Sequence, residues 1–414
     1  MRGKNWFKYK EARMFCLQGE EKINKKKKVW YTMRRMGLFH KTDSYLGIDI
    51  GAGGMKLVEL KKTKGRPQLW TYGIVDDVLD IHIPTAEEKT PEALLKEQRP
   101  TMAPVTKTEM LPPPIDVSDP RIDKYAAMLK ALVKGTKAQS TLATASLPVS
   151  SIFHAVFTMP KMAPKEVMTH VMAKVAKVLP RPLEEMQVVH QVIPAPAGSE
   201  QKDLKVLVTA APKTLVMFYT AIFQKAGLKL QELETEAFAL ERSLVGRDTS
   251  TVMVIDIGAE RTNFFIMDQG LPLTHRTIQI GGKDIDRTIE KRLGVSPDMV
   301  SQIKYDMTQM PGTVIPKDVF LSVLDPIAKE VQYSFDIFLN QTGNQGKRPE
   351  KIIVTGGSAF FTPIIEYLRD ATKMKVFVGD PWARVVYQDG LKRVLDPIGP
   401  RMSVAIGLAL RNIV

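Results

Sequence analysis

The pentapeptide Ile-Asp-Ile-Gly-Ala stands at 48–52 and again at 255–259, roughly half a chain apart. The surroundings match too: LGIDIGAGGMKLVEL fills 46–60 and VMVIDIGAERTNFFI fills 252–266. Each reads as an apolar strand, an aspartate near its end, a glycine-bearing turn and a second strand. A hairpin repeated at that interval constrains the chain to two related halves facing each other. In the first copy the strand Leu46–Ile50 carries Asp49. Gly51, Gly53 and Gly54 make the turn, and Lys56 lies just past it in the strand Met55–Leu60. Glycines let backbone approach a bulky anion and aim several N–H groups at it. A lysine adds a point charge suited to phosphate, and an aspartate at a strand end can hold Mg²⁺ through water. No G-x-x-x-x-G-K-[ST] is present, so this is not a Walker loop. Taken alone, the stretch also fits an ordinary glycine-rich hairpin.

A third signal lies at 351–368, KIIVTGGSAFFTPIIEYL. An apolar strand runs into Gly356-Gly357-Ser358 and then into a helix, whose N-terminus would offer free N–H groups and a positive dipole to phosphate or ribose oxygens. Two aspartate-bearing hairpins could grip one nucleotide between them, with this turn beside it.

The three segments, in this order, resemble the first phosphate, second phosphate and adenosine motifs of the actin/Hsp70/sugar-kinase ATPase superfamily. The nearer resemblance is to the PilM family of type IV pilus assembly proteins, relatives of the cell-division protein FtsA. It is carried by IDIGAGGMKLVEL, the MPKM-x-P-KEVM stretch at 159–168, VIDIGAERTN, IGGKDIDRTIEKRLGV at 280–295, VTGGSAFFTPIIEYL, GDPWARV at 379–385 and the terminal AIGLALRN. It covers about 44–414. The resemblance implies an α/β, actin-like (duplicated ribonuclease H-like) two-lobed ATPase fold with an inserted small α/β subdomain. It also implies ATP and Mg²⁺ as cofactors. Gly51, Ala52, Gly53, Gly54 and Lys56 would hold the β/γ-phosphates, with Gly258 and Ala259 opposite. Asp49 and Asp256 would hold Mg²⁺ through water. Gly356, Gly357 and Ser358 would face the adenosine. The superfamily often sets a Glu and a Lys, three apart, beside the ribose; Lys304 matches the lysine, Ser301 stands at the glutamate position, and Gln302 is the alternative contact.

The expected organisation follows. Residues 1–43 form a basic tail, with 13 Lys/Arg against 4 Asp/Glu, read as solvated and dispensable, with Met36 a candidate true start. The first lobe spans 44–149 and includes a mobile Pro-, Glu-, Lys- and Thr-rich loop at 84–120. An inserted subdomain follows at 150–233, strand–helix–strand twice. There Val167, Val171, Val175 and Val178 form a core stripe with Met168 and Met172 beside it. Residues 234–250 return to the first lobe, 251–384 make the second, and 385–414 cross back through a last connecting helix.

Charge and composition narrow the function. The tail holds most of the net +14, so the basic balance does not imply nucleic-acid binding. No apolar run is long enough to span a membrane or to serve as a signal peptide. The single cysteine, Cys16, fits a reducing compartment, and the six scattered histidines show no zinc spacing. The resemblance implies a cytoplasmic protein, peripheral at the inner face of the cytoplasmic membrane. There it would dock the N-terminal cytoplasmic peptide of a bitopic PilN-like protein between the insert and the first lobe, with strand Ile152–Thr158 and helix Lys165–Leu179 as groove walls. Pilus motor components are further candidate partners, in pilus or type II secretion-like assembly. No catalytic residue can be nominated, so ATP reads as a conformational ligand. The alternatives are an active ATPase or small-molecule kinase, and an FtsA-like role. The latter loses support because no amphipathic helix follows the connecting helix.

Overall fold

The computed structural model describes residues 43–81, 119–179, 181–193, 203–309, 316–341 and 343–413. The expected tail, its candidate start at Met36 and nearly all of the expected loop at 84–120 lie outside them.

Strand β1 (Ser44–Gly51) pairs antiparallel with β2 (Gly54–Lys61), and β2 with β3 (Gln68–Val75). After helix α1 (Pro120–Thr136), β4 (Leu142–Leu147) lies parallel to β1. The chain then builds a separate sheet from β5 (Phe153–Pro160), helix α2 (Pro164–Val175), β6 (Met186–Ile193) and β7 (Asp203–Pro212), in the antiparallel order β5-β7-β6. Helix α3 (Lys213–Ala226) and β8 (Lys229–Thr235) return to the first sheet, where β8 lies parallel to β4. A short helix α4 (Glu236–Leu240) runs into a π-turn at Glu241–Val245.

The second half repeats the first. β9 (Val252–Ile257), β10 (Thr262–Asp268) and β11 (Leu271–Ile278) form an antiparallel meander. Helices α5 (Gly282–Leu293), α6 (Pro297–Gln309) and α7 (Leu321–Asn340) follow. β12 (Lys351–Thr355), α8 (Thr362–Thr372) and β13 (Lys375–Val378) complete a sheet ordered β11-β10-β9-β12-β13. The first sheet, β3-β2-β1-β4-β8, has the same order and the same pattern of antiparallel and parallel neighbours. Helix α9 (Gly399–Leu410) closes the chain.

Both central strands are apolar almost throughout because both of their faces are covered. Leu46, Ile48 and Ile50 pack with α1 and α3 on one side. On the other side β2 supplies Val58 and Leu60 to a cluster with Met402, Ala405, Ile406 and Ala409 of α9. That helix presses onto the β1 backbone: a Cβ at Gly47 would collide with the carbonyl oxygen of Ala405. At Gly407 it would collide with that of Ala239. Only glycine permits either approach.

The insert is smaller than the pattern implied. Drawn to 233, it would take in α3 and most of β8. β8 instead pairs with β4, and Phe218, Tyr219, Ile222 and Phe223 of α3 lie in the first-lobe core. The insert proper is therefore 153–212, with one α-helix among its described residues. Helical and strand periodicity say that α3 and β8 are half-buried, but not against which sheet. Helix α2 ends at Val175, short of the expected Leu179. Val178 is left 49% exposed instead of joining the stripe of Val167, Val171 and Val175, and Met168 is 39% exposed. In the second lobe α7 carries Pro326 inside it, five residues after its start at Leu321.

Candidate functional site

The two repeated hairpins meet across a cleft of about 420 Å³ between the lobes. A Cβ on Gly53 would stand 3.0 Å from the Cβ of Ala259, so the two turns almost touch. A Cβ on Gly51 would stand 3.2 Å from Lys56 Nζ. Side chains at either glycine would fill the space between the hairpins, so the cradle depends on their absence.

In the first hairpin Asp49 and Lys56 are directly opposed across β1 and β2. Lys56 Nζ donates to Asp49 Oδ2 at 3.1 Å, and Ser146 Oγ donates to Oδ1 at 3.2 Å. Both charges are buried and mutually compensated. In the second hairpin the residue opposite Asp256 is Asn263, which carries no charge. Burial, reinforced by the nearby Asp49, pushes the Asp256 carboxyl up to about 6, against the pull of Lys56 and the Asn263 amide.

A third carboxylate joins them. Glu236, the first residue of α4, lines the same cleft and accepts from Asn263 Nδ2 at 3.4 Å. Burial first, and then Asp256 and Asp49, hold its carboxyl well above the ordinary range. No motif marks it: it reaches the cleft because β8 runs parallel to β4 and delivers α4 there. Sequence reasoning also missed Arg401, which pairs with Asp76 and lies 3.5 Å from the carbonyl oxygen of Gly53. Its neighbour Pro400 accepts from Gly356 N at 3.1 Å, so the first turn of α9 touches both lobes.

Most of the expected residues do converge. Asp49, Gly51, Ala52, Gly53, Lys56, Asp256, Gly258, Ala259, Lys304, Gly356, Gly357 and Ser358 all line the cleft. Gly54 does not; it holds φ +119° and a Cβ there would collide with the carbonyl oxygen of Val75, so it serves the turn itself. The Gly356–Ser358 turn is not a helix N-terminus, because α8 starts only at Thr362. Its contribution is backbone shape. Gly356, at φ +93°, comes so close to Asp256 that a Cβ would stand 2.5 Å from Oδ1. Gln302 bonds Asp306 and is not part of the lining, whereas Ser301 is. Lys304 Nζ donates to Asp286 Oδ1 at 2.8 Å and lies 3.4 Å from the Gly282 carbonyl.

Chemically, one end of the cleft offers glycine-rich backbone and Lys56 to an anion. Beside them Asp256 and Glu236 make no ion pair among the described residues, a set that favours a bound cation. Among the described residues, no three His, Cys, Asp or Glu side chains are close enough to hold a metal directly.

A family model described as type IV pilus assembly protein PilM matches residues 102–413, about three quarters of the chain. The chain belongs to the PilM family. A solved PilM–PilN type IV pilus biogenesis complex shares its fold, with TM-score 0.69 and 22% identity over 89% of this chain and 98% of that one. More distant are the ethanolamine utilization protein EutJ of Carboxydothermus hydrogenoformans and MreB5 of Spiroplasma citri bound to AMPPNP. Their TM-scores are 0.46 and 0.44, their identities 14% and 12%. They cover 89% of this chain each, and 89% and 95% of their own. As a PilM-family protein the chain has the expected actin-like, duplicated two-lobed fold with its small inserted subdomain. No helix among the described residues is long and apolar enough to cross a membrane.

Proposed function

We propose that this chain is a nucleotide-binding scaffold of type IV pilus, or related type II secretion-like, assembly. It binds Mg-ATP between its lobes and docks the cytoplasmic peptide of a PilN-like membrane protein, which holds it at the inner face of the cytoplasmic membrane. The observation that carries the nucleotide half is the facing pair of glycine hairpins around Asp49, Lys56 and Asp256. Gly51, Gly53 and Lys56 would hold phosphate; Asp49 and Asp256 would hold Mg²⁺ through water; Mg²⁺ when bound neutralises phosphate charge. Nucleotide touching both lobes biases their closure in proportion to its preference for the closed state.

The docking half draws on family membership and on the relative solved as a complex with PilN. An extended peptide binds by pairing with a strand edge. Of the two edges of the insert, β5 is turned toward the second lobe, where His154 Nε2 lies 2.9 Å from the Pro272 carbonyl and its ring packs edge-on to His275. That leaves β6 as the edge for the peptide, with Met168 and the half-buried Met172 of α2 as adaptable apolar contacts. Phe153 and Ala210 are register partners, so the two ends of the insert are adjacent and a short linker can replace 153–212. That deletion is expected to abolish capture of a peptide comprising the first dozen residues of the genomically linked PilN-like protein, while ATP binding survives. Capture by the deleted protein would move the docking site elsewhere.

One observation favours slow hydrolysis as a second reading: Glu236 places a carboxylate between the hairpins, where it could orient a water. Glu236→Gln would then abolish residual phosphate release at unchanged ATP affinity. Equal release from both proteins would remove Glu236 from that role.

A further inference from the structure

Between Glu59 and Asp76 the chain has no carboxylate, yet it holds Lys61, Lys62, Lys64 and Arg66. The last three stand on the turn 62–67 that joins β2 to β3, at the opposite end of β2 from the Gly51–Gly54 turn. Residues 62–66 are all exposed. None of the four cations makes an ion pair among the described residues. Elsewhere exposed lysines do find carboxylates, as Lys225 does with Asp123 and Lys317 with Asp370. The turn is nonetheless fixed. Thr63 Oγ1 donates to the Arg66 carbonyl at 2.7 Å and accepts from Gly65 N at 3.2 Å. Arg66 donates to the carbonyls of Ala383 and Val385, and Val386 N donates to that of Pro67 at 2.8 Å. Beside Arg66, a hollow of about 490 Å³ is also lined by Lys392, Asp380 and Asp389. Charges balance there, so the positive excess belongs to the turn.

Apolar groups stand with these cations. β3 is an edge strand, and its register on β2 slips between Glu59 and Leu60, which leaves Trp70 without a partner on β2. A bulge of this kind re-aims a side chain. Trp70 is 45% exposed, and Lys61 Nζ lies 3.0 Å from the centre of its ring. Val386, bridged to Gln68, is also exposed. Residues 1–43, with 13 Lys/Arg against 4 Asp/Glu, join the body at the same place: Lys62 N donates to the Asp43 carbonyl at 2.9 Å.

We propose that this end of the first lobe docks directly on a bilayer bearing anionic phospholipid. Lysine and arginine at such a surface are attracted by the headgroup charge, and each strengthens adsorption. An indole ring settles at headgroup level, with its ring against the acyl boundary and its N–H in the wet layer. Cations without carboxylate partners around an exposed tryptophan supply both interactions. Folding does not call for them, because like charges crowded on one turn repel. A nucleic-acid duplex would meet the charge but has no apolar layer to receive Trp70 and Val386. The surface shares no residue with the insert, so this contact does not depend on the PilN-like peptide.

The test is co-sedimentation of the full chain, without peptide, with vesicles of phosphatidylcholine alone or with about a third phosphatidylglycerol. Wild type should bind the anionic vesicles and not the neutral ones, and more weakly as salt rises. The double variant Lys62→Ala/Lys64→Ala should bind the anionic vesicles at least tenfold more weakly, since each cation contributes about fivefold. Contributions of separate cations add, so the basic residues of 1–43 do not mask that loss. Its melting temperature should stay at the wild-type value, because both lysines are exposed and make no ion pair. Trp70→Ser should bind the vesicles severalfold more weakly and leave any adsorption to a short duplex DNA unchanged. Equal wild-type binding to the two kinds of vesicle would overturn the proposal. So would wild-type affinity in the double variant, which would assign adsorption to residues 1–43. Equal losses for Trp70→Ser on vesicles and on DNA would make the turn a general polyanion surface and overturn the bilayer as its partner.

Discussion

The two hairpins share the core Ile-Asp-Ile-Gly-Ala and the same strand pairing, yet their aspartates live in different electrostatic states. Asp49 faces Lys56 across its hairpin and is ion-paired; Asp256 faces Asn263 and is not. Burial, reinforced by Asp49, holds the Asp256 carboxyl near 6, with only the Asn263 amide opposite it and Lys56 further off to oppose the rise. A duplicated element has become one compensated half and one half whose charge is best satisfied by something bound between them. The pair teaches that the same backbone motif can hold its aspartate in an ion pair or leave it buried without one, and the opposed residue, Lys56 or Asn263, marks the difference.

The strongest way to break the comparison is through the glycines that let each turn exist. Gly54→Ala and Gly356→Ala both force a side chain into a left-handed conformation against neighbouring backbone. Each should cost about 2–4 kcal/mol of stability, read by chemical denaturation. A cost below about 0.5 kcal/mol at either position would show that the turn relaxes.

The ion pair is next. Lys56→Ala leaves Asp49 buried with its hydroxyl partner Ser146 but no cation. It should destabilise the protein by about 2–3 kcal/mol and weaken ATP binding at least tenfold. Asn263→Ala, its positional counterpart, should cost about 1 kcal/mol. Equal costs would erase the asymmetry between the hairpins.

The smallest effect sharpens the comparison most. Because the folded-state pKa of Asp256 is raised, its proton stabilises the native protein fully below the unfolded value near 4. That stabilisation is lost as pH climbs through about 6. Asp256→Asn should remove this decline and raise the stability of the unliganded protein at pH 7 by on the order of 1–2 kcal/mol, since the cleft is open to water. Mg-ATP affinity should fall below pH 6 in wild type, where Asp256 is protonated. In the asparagine variant it should be lower and flat across the same range. An unchanged pH profile of stability would mean that the carboxyl titrates normally.

What was legible in the chain was what neighbouring residues settle among themselves. The alternation of apolar residue, aspartate and glycine specifies a strand, a tight turn and a second strand, and its recurrence specifies two like halves. The cleft residues on those hairpins could therefore be named by number. Even there, local sequence does not distinguish a glycine that clears room for a ligand, as Gly53 does, from Gly54, which clears room for Val75. The remaining features depended on which distant segments pack together. Glu236 and Arg401 reach the cleft because β8 pairs with β4 and α9 crosses between the lobes. Asp286 meets Lys304 because α5 and α6 pack against each other. The insert stops at 212 because α3 buries its aromatic face in the first-lobe core. Periodicity records that a face is buried and leaves its partner unnamed; the choice of partner belongs to long-range packing, and it was made only in the tertiary structure.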